Sequence, residues 1–139
     1  MTMTRRDDRG AATTELVLLT PVLIVMLLFV VALGRIASTR QDVDAAARDA
    51  ARAAANARSP AAARADGTTA AEASLTEQGI TCRNLTVTVD TAAFRAGGTV
   101  TAAVSCTVDL ADLTSLSIPA SRTITATFTA PIDQYRGTS

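Results

Sequence analysis

Few residues of this 139-residue chain can do chemistry. There is no His, so the commonest general base and the commonest metal ligand are both missing. Two cysteines, Cys82 and Cys106, are too few for a zinc site without His. The acids form no clustered pair, so no catalytic constellation and no cofactor site is expected. Hydrolase activity lost on mutating Asp90, Asp109 or Asp112 would overturn that expectation. One carboxylate stands apart. Glu15 sits at the mouth of an apolar run, RGAATTE followed by LVLLTPVLIVMLLFVVALG. A carboxylate beside hydrocarbon is costly unless something compensates it. At the level of lipid headgroups the cost is small, and Glu15 then needs no special role.

The elements that must hold these residues begin with the run itself. Leu16 to Leu33 is nearly unbroken apolar sequence, roughly 27 Å long as a helix and close to a hydrocarbon core of about 30 Å. A core helix of a soluble protein would show a polar stripe, and this run shows none. Residues 1–10 read as a short polar leader, 11–35 as a membrane-spanning helix and 36–58 as its amphipathic continuation, roughly 70 Å of helix in all. Pro21 inside the run removes one backbone bond, which membrane helices tolerate. Arg5, Arg6 and Arg9 precede the run and Arg35 and Arg40 follow it, so the count of flanking charges barely sets an orientation. Formal net charge is zero, which argues against a nucleic-acid partner. A single Tyr and no Trp argue against a base- or sugar-stacking platform.

From Ile36 the pattern is helical. Arg40, Asp44 and Arg48 are four apart and can pair along one face. Val43, Ala47, Ala50, Ala54 and Ala57 form an opposite stripe of small residues, suited to close approach by another element; the alternative is an Ala-rich solvated helix. Ser59-Pro60 is expected to end this helix. Residues 59–67 read as a linker closing at Asp66-Gly67. A second helix is expected near Thr68 to Gln78, capped by Thr68 or Thr69 and stopped by Gly79. The period then changes to two. Leu85, Val87 and Val89, then Val100 to Val108, then Ile124 to Phe128 alternate with polar or small residues, giving three half-buried strands. The predicted fold class is α+β: a long helix, a short one, and a three-stranded antiparallel sheet packed on the long helix within residues 59–139. Asn84-Leu85-Thr86 fits the glycosylation acceptor pattern, but the motif is too short to carry weight.

If the first two strands form a hairpin, matching their apolar faces puts Leu85 opposite Val104 and Arg83 opposite Cys106. Cys82 must then sit just outside the ladder, or at a bulge, to bond Cys106. Such a disulfide would stabilise by about 3.5 kcal/mol on the chain-entropy estimate, which matters for a domain of about 80 residues. The alternative is two unpaired buried thiols. A bond implies an oxidising compartment, with the C-terminal domain outside the membrane and the leader inside.

Three readings of the N-terminus compete: a secretory signal cut near Ala32-Leu33-Gly34, an uncut signal anchor, and a leader cut before the apolar run. RGAATTELVLLTP resembles the N-terminus of the TadE-like pilus-assembly family, the minor pilins or pseudopilins of tight-adherence pili. DVDAAARDAARAAA and the ending SRTITATFTAPIDQYRG are similar to it too, the ending suggesting actinobacterial members, so the resemblance covers nearly the whole chain. It implies that a prepilin peptidase cuts between Gly10 and Ala11. Glu15 then becomes the fifth mature residue, where pilin-like subunits place their glutamate. The cut creates an α-ammonium on Ala11, one helical turn from Glu15. That ammonium can neutralise its own Glu15 or, in an assembly, a neighbour's, which would favour one axial register.

The resemblance implies a subunit held in the cell membrane with a cytoplasmic N-terminus and an extracytoplasmic C-terminal domain, and extracellular once assembled. Its implied partners are other pilin and minor-pilin subunits, the prepilin peptidase and the inner-membrane assembly platform. The sheet, absent from short major pilins, favours a minor, priming or tip role. The competing expectation is an uncut membrane-anchored scaffold or adhesion module of the cell envelope.

Overall fold

Between Arg9 and Asn56 the chain is rich in Ala, Leu and Arg, strong helix formers, and its lone proline lies in the apolar stretch. In the computed structural model, which describes residues 9–109 and 120–135 with side chains from Leu16 onward, this stretch is one helix, α1 (Arg9–Asn56). It is followed by α2 (Pro60–Glu77), β1 (Asn84–Asp90), β2 (Thr99–Asp109) and β3 (Ser121–Pro131). The predicted α+β class and element order are thus observed. The chain divides into two compact units, Met1–Gly34 and Arg35–Ser139.

In the second unit, α1 contributes an almost purely alanine face. Val43, Ala46, Ala47, Ala50, Ala51 and Ala54 are wholly buried. The solvated-helix alternative is excluded, and the buried face is wider than the expected stripe. The expected pairing of Asp44 with Arg40 and Arg48 does not form. Instead the Arg48 guanidinium lies over the Phe128 ring, 5.9 Å from its centroid. That contact gives the charge a π face while its stem covers apolar surface.

The second helix corrects the sequence reading. Residues 60–67 are helical rather than a linker, and neither Thr68 nor Thr69 is a cap. Ser59 is the N-cap, its hydroxyl accepting from the Ala62 amide at 3.2 Å, and Pro60 takes the first helical position, where its missing N–H is harmless. Ser59-Pro60 therefore starts α2, and α1 already stops at Asn56. Asp66-Gly67 looked like a turn, but Gly67 lies buried mid-helix because its neighbours come too close for a side chain. A Cβ there would sit 2.9 Å from Val89 Cγ2 and 3.2 Å from the Ala50 carbonyl oxygen. The predicted stop holds. Gly79 has φ +70°, the Gly79 amide donates to Thr76 O and the Ile80 amide to Leu75 O, a Schellman closure.

The sheet has the order β1-β2-β3, antiparallel throughout. Its first register differs from expectation. Leu85 faces Cys106, not Val104, which pairs with Val87 instead. The shift is two residues, so every side chain keeps its face. The β1–β2 connection sets it. The Asp90 carboxylate accepts from the Ala92 amide, the Phe94 amide donates to Thr91 O and the Gly98 amide to Arg95 O. β2 therefore overhangs β1 by Thr99 and Val100, which pair with Pro131 and Ala130 of β3. One face of the sheet carries Val100, Ala102, Val104, Cys106, Ile124 and Ala126, all buried. These join the alanine face of α1 and Ala63, Ala71 and Leu75 of α2 in one core. The other face carries hydroxyls paired across strands, Thr101 with Thr129 and Thr107 with Thr123, each at 2.9 Å.

Candidate functional site

Two features stand out, one in each unit. In the first unit, the large side chains from Leu16 to Leu33 are exposed, from 49% at Leu19 to 70% at Leu18. A helix apolar on every side and covered by nothing among the described residues requires lipid or other helices around it. Its length fits a membrane anchor. Within it, the Thr20 hydroxyl donates to the Leu16 carbonyl at 2.7 Å, so its polar group is satisfied without water. Pro21 lies inside α1, as the sequence requires. Gly10, Ala11 and Glu15 fall on the α1 backbone, but their side chains lie outside the described residues, as do leader residues 1–8 and Asp112.

In the second unit, Cys82 and Cys106 are bonded, with Cα atoms 5.4 Å apart. Cys82 stands two residues before β1, just outside the ladder, as the hairpin reading required. The bond fastens the α2–β1 connection to the central strand. Beside it, the Arg83 amide donates to Thr107 O at 2.7 Å, and its guanidinium pairs with Asp109 at 3.2 Å. That ion pair is largely exposed and contributes little. Cys82 lines an open groove of about 500 Å³ with Leu75, Ile80 and Leu85, and Glu72 stands at its rim. The groove was missed from sequence because Leu75 and Ile80 meet only through the Schellman closure.

Asp90 and Asp109 are engaged in structural contacts. Asp90 caps the β1–β2 connection and Asp109 holds Arg83. Polar ties between elements were not anticipated. The Ser74 hydroxyl donates to Asp49 at 2.9 Å, joining α2 to α1, and Arg64 donates to the Thr91 hydroxyl at 2.8 Å. The run Ala63, Gly67, Ala71, Ser74 is buried at helical spacing and could have exposed both α2 and its partner face.

Residues 10–52 match the family model of TadE-like proteins. This part of α1 is similar to TadE-like proteins. The matched segment starts at Gly10, takes in Ala11, Glu15 and the apolar run, and ends at Arg52 on the alanine-faced part of α1. It is narrower than the near-complete resemblance read from sequence, since α2, the sheet and the ending SRTITATFTAPIDQYRG lie beyond it. No curated protein and no solved structure matches the chain.

Proposed function

We propose that this TadE-like protein is a minor pilin, or pseudopilin, stored in the membrane and incorporated into, or priming, a tight-adherence pilus. Its role is structural rather than catalytic. The observation that carries the reading is the TadE-like segment itself. It begins at Gly10 and runs into an apolar helix whose large side chains are exposed among the described residues. Lipid would cover that surface in storage, and neighbouring pilin helices would cover it in the filament.

Three further points support the reading. A cut by a prepilin peptidase between Gly10 and Ala11 would leave the apolar run on the mature subunit. The new ammonium on Ala11 would lie one turn from Glu15 and give that carboxylate a partner. The disulfide suits an extracytoplasmic sheet domain with the leader in the cytoplasm.

The decisive experiment is the intact mass and N-terminal sequence of the protein from native membranes, with immunogold labelling of sheared pili. A chain beginning at Ala11 and present in the pili is the expected result. An intact leader and absence from pili would instead assign an uncleaved anchored scaffold or adhesion module. A chain beginning after Gly34 would overturn both.

A further inference from the structure

The two sulfurs of the disulfide live in different surroundings. Cys106 lies on the central strand, opposite Leu85 of β1 and Ile124 of β3, and is wholly buried. Cys82 is half-buried, precedes β1 and lines the open groove with Leu75, Ile80 and Leu85. Thiol–disulfide exchange proceeds by attack of a thiolate on a sulfur, so it needs access to the sulfur attacked. Cys106, enclosed in the core, is the harder sulfur for an incoming disulfide to reach and so the poorer first nucleophile.

We infer that Cys82 is the sulfur through which this bond is made and broken, in exchange with the disulfide or dithiol of a redox partner that approaches along the groove. Cys106 is the buried resolving thiol. During formation, the Cys82 thiolate attacks one sulfur of the partner's disulfide and the other leaves as a thiolate. The Cys106 thiolate then attacks Cys82 Sγ, closing the bond and expelling the partner sulfur that Cys82 had bonded. Two thiols are oxidised, one partner disulfide is reduced to a dithiol, and the two protons pass to the departing thiolates. Nothing in this assignment depends on whether the leader is cut.

The arginines make the test direct. Cleavage after Arg64, Arg83, Arg95 and Arg122 puts Cys82 on residues 65–83 and Cys106 on residues 96–122. The full chain, reduced in detergent micelles, is oxidised with glutathione disulfide, quenched in acid before completion and digested with trypsin. Glutathione is expected on residues 65–83. An equal or larger share on residues 96–122 would overturn the assignment. A second measurement compares Cys106→Ser with Cys82→Ser. The first, which keeps Cys82, should react with glutathione disulfide about tenfold faster or more, and the difference should vanish in denaturant. Equal rates without denaturant would count against Cys82 as the entry point.

Discussion

At the scale of single residues, Gly67 and Gly34 make opposite demands although both lie inside helices. Gly67 is needed for space. Gly67→Ala would drive a Cβ against Val89 and the Ala50 carbonyl, a clash of about 1–3 kcal/mol that outweighs a helix-propensity gain of about 1 kcal/mol. A lower midpoint in chemical denaturation is the expected outcome. Nothing lies within 4 Å of a Cβ built on Gly34. Gly34→Ala should leave that midpoint unchanged or raise it, since only the propensity gain of about 1 kcal/mol remains. Glu15 calls for a different measurement. Glu15→Ala should leave the disulfide formed and the leader processed, yet lower the amount of protein recovered in sheared pili. Wild-type recovery would refute the idea that this carboxylate sets an axial register.

At the scale of elements, the α2–β1 connection depends on its covalent staple. Of the inward side chains of β1, Leu85 and Val87 are only half-buried and Val89 alone is buried. Replacing both cysteines by Ala should lower unfolding stability by about 3.5 kcal/mol, measurable as a shift in urea midpoint that reductant no longer affects. Ser59→Ala should cost about 1 kcal/mol in the same assay, because the Ala62 amide loses its acceptor. These elements also show what a sequence can express. Alternation at Leu85, Val87 and Val89 was readable because a period of two has no helical counterpart. The register was not, because a slip of two residues preserves every face and only the hydrogen bonds of the 91–98 connection choose between them. The first half of α2 was hidden for a related reason. Asp-Gly is a turn signal locally, and only the approach of α1 and β1 to Gly67 overrides it. Cys82 could be placed beside the ladder even with the wrong register, since it falls just before the first strand in either register.

At the scale of the whole molecule, every residue of the core lies between Val43 and Ile132, inside the second unit. Removing residues 1–34 should therefore leave a chain that folds, closes its disulfide and stays dispersed without detergent. Far-ultraviolet circular dichroism and a thiol count after oxidation would check this. An unfolded product would mean that the first unit is needed for folding as well as for anchorage. The TadE-like match respects this division only in part, since residues 10–52 cross the boundary between the units. What is similar to the family is a helix, one part apolar all round and one part faced with alanine. The candidate site was legible in outline because its main signals are local. An uninterrupted apolar run and two cysteines near strand ends need no tertiary knowledge to be seen. The groove beside Cys82 needed the fold, because its lining comes from a helix terminus and a strand that are brought together only by the Schellman turn and the bond.

The alanine face of α1 has a consequence for inheritance. A single-base change that alters the residue at an alanine codon yields valine, threonine, serine, proline, glycine, aspartate or glutamate, and none of these is apolar and of alanine's size. At Ala46, Ala47, Ala50, Ala51 and Ala54, wholly enclosed as they are, each one-step mutation must overfill the core, bury a polar group or weaken the helix. This stretch of the gene has no gentle first step available, so its drift should be slowest where its chemistry is plainest.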